Sequence, residues 1–186
     1  MLFLQITFKY TIYLINREVN TMTVKILVTG GTFDKKYMEL TGELIFKNTH
    51  VHEMLNLARC KIDIKIRTLM MIDSLDMTDY HRHIILEKCK NSKEKKIIIT
   101  HGTDTMVKTA KYLGEKINDR TIVLTGALIP YAFGSSDGLF NLGSALAFVQ
   151  SLPSGVYVVM NGKYFNYDNV RKNKNTGVFE EINDET

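Results

Sequence analysis

Four short runs, VKILVTG (24–30), KIIIT (96–100), TIVLT (121–125) and GVYVVM (155–160), are rich in β-branched residues and nearly free of polar interruption. Strands buried on both faces read this way, because neither face has to alternate toward water. KIDIKIR (61–67) alternates apolar and charged residues instead, which places it nearer a sheet edge. Helical patterns fall between the strands. Met106, Ala110, Leu113 and Ile117 recur at helical spacing after HGTD, and Leu139, Leu142, Leu146 and Val149 do so after SSDG. Each set puts an apolar stripe on one helix face. Shorter helices are expected around Val51–Ala58 and Asp79–Lys90. Strands alternating with helices need right-handed crossovers, which stack helices on both sides of a parallel sheet. The expectation is therefore an α/β fold: a doubly wound, mainly parallel sheet with helices on both faces.

In such sheets ligands bind beyond the carboxyl ends of the strands. TGGT (29–32), DSLD (73–76), THGTDT (100–105) and TGALIP (125–130) all follow expected strands, so four polar loops converge on one crevice. The stretch FDKKYMELTGEL (33–44) is polar and reads as a mobile loop carrying Tyr37. TGGT is no G-x-G-x-x-G, and no Walker-type lysine follows it, so a nucleotide-binding domain is a weak reading.

At 186 residues with 45% apolar content the chain is long enough for one domain with a substantial core. The net charge of +4 is mildly basic. KCKNSKEKK (88–96) lacks interleaved aromatics and precedes an apolar strand, so it reads as a solvated helix end and turn rather than a nucleic-acid patch. Cys60 and Cys89 match no zinc-ligand spacing and suit small buried apolar groups in a reducing cytoplasm. His50/His52 and His81/His83 are H-x-H pairs; on a helix such residues point to different faces, so exposed positions are expected rather than a metal site. The first 21 residues are apolar but carry Lys9, have no basic leader and are short for a membrane span. They read as an extension or a misassigned start before a unit running from Met22 to Thr186, with no membrane or export segment expected.

A threonine hydroxyl is a poor nucleophile until a neighbour removes its proton. Alone, each threonine of these loops would be a cap or turn residue. Thr32 and Thr103 at two strand ends, with Tyr37, Asp104 and a lysine in reach, would instead make an acyl-transfer site. TGGT, HGTDTM and TGALIP followed by SSDGLFNL resemble the bacterial-type L-asparaginase (asparaginase/glutaminase) family, HGTDTM matching that family's central motif in full. The resemblance covers about Lys25 to Lys172, the family's N-terminal domain, and runs nearest to the short-chain asparaginases, which consist of this one domain.

That resemblance implies a cofactor-free amidohydrolase converting L-asparagine to L-aspartate and ammonia through a threonine acyl-enzyme. It implies a homo-oligomer acting on a small molecule, with no membrane or nucleic-acid partner. It also implies Thr32 as nucleophile, Tyr37 as its activator, and Thr103, Asp104 and Lys172 as a second triad. Ser74 would hold the substrate's α-carboxylate and Asp104 its α-ammonium. Backbone N–H groups of Thr103 and Ala127 are placed to serve a developing oxyanion. Leu75 stands where long-chain relatives carry a glutamine that grips the amino group, and Ile129 replaces an arginine of the third motif. The acidic residue that a neighbour's C-terminal domain supplies has no counterpart. A catalytically silent domain that binds a small amino acid, and an amidase for a related amide, are the alternatives. His101 is expected to be structural, Asp137 to cap the following helix or bond near the site, and Tyr131 and Phe133 to pack their loop over that helix.

Overall fold

The computed structural model describes residues 22–182; the reading of residues 1–21 lies outside that range. Five parallel strands form the body of one sheet: β1 (Val24–Gly30), β4 (Ile64–Ile72), β5 (Lys96–Thr100), β6 (Thr121–Thr125) and β7 (Gly155–Met160). β8 (Lys163–Asn166) adds an antiparallel edge, giving the order β4-β1-β5-β6-β7-β8. The alternating segment is an edge strand as expected, although it starts at Ile64 and continues to Ile72.

Helices α1 (Val51–Leu57), α2 (Asp79–Lys90), α3 (Met106–Gly114) and α4 (Gly138–Ser151) make the crossovers. Side chains alternate across each strand, so each strand feeds two cores. Ile97, Ile99, Ile122 and Leu124 face α2 and α3, packing on Ile85, Leu86, Met106 and Leu113. Ile26, Ile98, Val123 and Val159 face the other way onto Val51 and Met54 of α1 and Leu142, Ala145 and Val149 of α4. Two covered faces explain why these runs contain no polar alternation. Helix α3 stops at Gly114, yet Ile117 stays in the core because its N–H still reaches the Leu113 carbonyl at 2.9 Å.

The stretch after Thr32 corrects the expectation of a loop. A 3-10 turn (Thr32–Asp34) leads into a hairpin of β2 (Lys35–Met38) and β3 (Glu43–Phe46), with Tyr37 paired to Leu44. Four residues between the strands, ending in Gly42 at φ +72°, close the turn. A second small hairpin pairs β9 (Arg171–Lys172) with β10 (Phe179–Glu180).

The lysine-rich stretch is a helix end and turn, in which Lys95 pairs with Asp119 at 2.6 Å. Lys88 and Lys90 are on the last turn of α2, and Glu94 bonds Lys65 at 2.9 Å and Ser92 at 2.7 Å. Ser92 and Lys65 hold the Glu94 carboxyl down to about 2. Cys89 is buried, which pushes its thiol up to about 12, whereas Cys60 is half-buried; both are free thiols. Among the described residues no helix is long and apolar enough to cross a membrane.

Candidate active site

The strand order reverses between β1 and β5: the chain leaves β1 for β4 on one side, then returns through α2 to β5 on the other. At such a switch point the loops after neighbouring strands diverge and open a crevice. Thr32 follows β1 there and Thr103 follows β5. The two loops touch backbone to backbone. A Cβ at Gly31, whose φ is +83°, would sit 2.3 Å from the Gly102 nitrogen, and one at Gly102 would sit 2.6 Å from Ser74 Oγ. Only glycine fits at either place. Strand-end hydrogen bonds complete the lock: Thr29 Oγ1 donates to the Thr100 carbonyl at 2.7 Å, and the His101 N–H donates to the Thr125 carbonyl at 2.8 Å.

Three of the expected groups meet directly. Lys172, arriving on β9, donates from Nζ to Thr103 Oγ1 at 2.8 Å and to Asp104 Oδ1 at 2.7 Å. Thr103 is 4% exposed, while half of the Asp104 side chain faces solvent. An ammonium donating to a hydroxyl oxygen favours negative charge on it, and the carboxylate holds the ammonium in place.

Thr32 is half-buried in its 3-10 turn. Tyr37 is 50% exposed on the hairpin, and its hydroxyl lies over the hairpin tip, 4.0 Å from where a Cβ on Gly42 would stand. Among the described residues no hydrogen bond joins it to Thr32. Ser74 is 1% exposed, and its hydroxyl has no hydrogen-bond partner among them. Ala127 is fully buried just beyond the end of β6. Leu75 is 71% exposed and Ile129 41% exposed, so neither belongs to the core.

Other positions differ from their sequence reading. His50 caps the start of α1, donating its N–H to Asp34 Oδ1 at 2.8 Å and lying near Tyr131 with ring centroids 5.5 Å apart. His81 accepts from the Thr78 N–H through Nδ1 at 3.1 Å in a capping box. His52 and His83 are exposed, as expected. Among the described residues no three His, Cys, Asp or Glu side chains gather as a metal site. Phe133 is 50% exposed, and Tyr131 packs partly buried against the core cluster that holds Leu142, Ala145 and Val149 of α4.

Asp137 makes no capping bond to α4. Its carboxylate accepts instead from the N–H groups of Leu128 and Ile129 and from Asn141 Nδ2, at 2.9 to 3.1 Å. Asn141, fully buried, also donates to the Gly126 carbonyl and accepts from the Asn161 N–H, both at 2.9 Å. This pair clamps the loop after β6. Sequence reading missed Asn141, although Asp137 and Asn141 stand four apart at a helix start, where such pairs share a face. It also missed Asp34, whose buried carboxylate ties the turn carrying Thr32 to α1; burial raises its pKa. Lys35 pairs with Asp73 and so joins the hairpin base to the Ser74 loop. Partial burial disfavours charge on Asp73, but the Leu75 amide and Lys35 outweigh it and hold the carboxyl below its usual range.

A family model described as "Asparaginase, N-terminal" matches residues 23–185. L-asparaginase 2 of Escherichia coli is 31% identical over 176 residues, covering 86% of this chain and 49% of that protein. One component of the glutamyl-tRNA(Gln) amidotransferase of Methanococcus vannielii is 33% identical over 160 residues, covering 80% of this chain and 36% of that protein. The thermostable L-asparaginase from Thermococcus kodakarensis superposes with a TM-score of 0.77 at 28% identity, covering 87% of this chain and 52% of that one. The chain spans about half the length of the asparaginases it matches.

Proposed function

The chain belongs to the asparaginase family, and from that premise we propose that it is an amidohydrolase acting on L-asparagine through a threonine acyl-enzyme. The observation that carries the proposal is the Thr103–Asp104–Lys172 triad at the switch point where Thr32 also lies. Lys172 joins it from a distant part of the domain, 69 positions after Thr103. A lysine placed on a buried threonine hydroxyl supports chemistry there over binding alone.

In this reading the hairpin closes over the crevice, Thr32 Oγ1 attacks the amide carbonyl carbon, and its proton passes to the Tyr37 hydroxyl, which hands its own proton on to the amide nitrogen. The oxyanion takes hydrogen bonds from the Thr103 and Ala127 amides beyond the ends of β5 and β6. The tetrahedral intermediate collapses, the amide nitrogen, so protonated, leaves as ammonia, and Thr32 carries the acyl ester. Water near Thr103 then attacks the ester, its proton returning to Thr32 as aspartate leaves. The Lys172 ammonium stabilises charge passing through Thr103 Oγ1 in that half. The second oxygen of Asp104 suits the substrate's α-ammonium, and the Ser74 hydroxyl, unpartnered but shielded from solvent beside Gly102, can donate to its α-carboxylate only when the two loops move apart. With Leu75 exposed and no glutamine there, the grip on the α-ammonium is weak. A charge-assisted hydrogen bond is worth roughly 1.5–3 kcal/mol, so KM should rise toward or above the millimolar range.

Similarity to the amidotransferase component favours a second reading, in which the same acyl chemistry serves a related amide and the nitrogen is passed to a partner protein. Ammonia release from asparagine, glutamine and related amides tests both. Fast turnover of free asparagine supports the first, and turnover only of a larger amide supports the second. The proposal extends to a homo-oligomer in the cytoplasm; sedimentation of the purified protein checks the oligomer.

A further inference from the structure

Arg82 heads the buried stripe of α2, followed by Ile85, Leu86 and Cys89 at helical spacing, and is itself 1% exposed. A buried guanidinium persists only where its donors find acceptors. Nη1 donates to the Met77 carbonyl at 2.9 Å and to Asp79 Oδ1 at 3.1 Å. Nε donates to Thr109 Oγ1 at 3.2 Å and Nη2 to Thr105 Oγ1 at 3.3 Å. The Asp79 side chain is 71% exposed, so this ion pair is strongly screened and the neutral acceptors define what Arg82 does.

Two arms leave the guanidinium toward the crevice. In the first, the Thr105 hydroxyl donates to the Ser74 carbonyl at 2.7 Å. In the second, the Thr109 hydroxyl faces His101 Nε2 at 2.8 Å, and His101 Nδ1 lies 2.8 Å from the Gly102 carbonyl. A carbonyl only accepts, so Nδ1 carries the ring proton and Nε2 accepts from Thr109. Burial keeps the ring neutral, pushing its pKa down to about 4. Each threonine has one proton to give. Because Arg82 can only donate, it sets the direction of both chains.

We propose that Arg82 is a positioning residue that fixes the Ser74 loop against the Gly102–Thr103 loop. It thereby sets the substrate's anchoring groups in register with the reacting amide. The consequence for catalysis rests on the amidohydrolase reading above; the coupling of the two loops does not. The two loops are close neighbours: a Cβ at Gly102 would meet Ser74 Cβ at 2.7 Å.

The test separates the arms in the full chain. Thr105→Val cuts the Ser74 arm and is expected to raise KM about tenfold while kcat stays within about threefold, the loss of one polar contact to a binding group. Thr109→Val cuts the His101 arm and is expected to lower kcat about tenfold at nearly constant KM. Thr105→Ser, which keeps the hydroxyl, should restore KM. Equal effects of both valine variants on both constants, or a Thr105→Ser protein no better than Thr105→Val, would reduce Arg82 to packing. Hydrogen exchange reads the coupling without turnover. Arg82→Met, or the two valine variants if it does not fold, should speed exchange in segments 73–78 and 100–105 while β6 and β7 stay protected. Unchanged or uniformly faster exchange overturns the proposal. If the wild-type protein released no ammonia from any amide, the function would fall while exchange still decided the role of Arg82.

Discussion

The groups assigned to the crevice are held in two different ways. Thr32 and Thr103 leave the central strands β1 and β5, where no side chain can be added at Gly31 or Gly102 without displacing a neighbour. Tyr37 and Lys172 arrive on two-stranded hairpins at the rim, one half exposed and the other anchored through its ammonium. The contrast separates precision from movement. Reacting atoms must be placed to within a fraction of an ångström, which rigid strand ends provide. Groups that close over a substrate belong on elements with little buried area.

The sharpest way to break that contrast is at the centre. Thr32→Ala should fold normally, because a half-buried turn hydroxyl contributes little stability, and should lose at least ~10³-fold in turnover. Acyl-enzyme trapped by rapid acid quench and mapped by peptide mass spectrometry should carry its adduct on Thr32. An adduct on Thr103, which already has its lysine at 2.8 Å, would exchange the roles of the two threonines.

At the rim, Lys172→Met keeps side-chain length but removes both ammonium bonds. We expect kcat to fall about 10²-fold with KM within about threefold, since the lysine acts on Thr103 rather than on the ligand. A higher KM with unchanged kcat would make Lys172 a binding residue. Tyr37→Phe should lower kcat about tenfold and leave stability within about 0.5 kcal/mol, as expected for an exposed hydroxyl. Wild-type turnover in that variant would mean that the hairpin is a rim feature and Thr32 is activated by another group.

The centre is far more legible in the sequence than the rim. Doubly covered strands announce themselves by unbroken apolar runs such as IIIT and TIVLT, and the polar loops then fall at one end by topology alone. The hairpin of Lys35–Phe46 reads as a loop because its strands are four residues each, half polar and exposed on much of their surface. Such strands carry too little periodicity to detect. Lys172 is reached only through a resemblance, since nothing local in DNVRKN says that its ammonium turns toward Thr103. Arg82 and Asn141 escape notice because a polar residue within an apolar stripe looks like an interruption until its partners are seen.

A change in slope rather than in turnover is expected for acid stability, and it also tests whether the centre or the rim yields first. His101 is buried and neutral, with its pKa lowered from 6.5 to about 4 by desolvation, and the Arg82 charge acts in the same direction. As pH falls from 6.5 toward 4, the unfolded chain takes up a proton that the folded protein refuses, so stability falls with falling pH across that window. Above it His101 contributes no slope; below it the accumulated loss is about 3 kcal/mol at most. Glu94 and Asp73, whose pKa values are lowered, keep their stabilisation until the pH drops below their unfolded values, so they steepen the curve only at the acid end. Asp34 runs the other way: its raised pKa makes it stabilise at low pH and lose that contribution as pH rises through its folded value. His101→Gln keeps a polar group in the pocket without a titrating ring. Urea midpoints measured across the window should therefore fall less steeply for His101→Gln than for the wild type, whatever the absolute stability of the variant. Identical slopes would place the acid-sensitive group outside the network beneath β5.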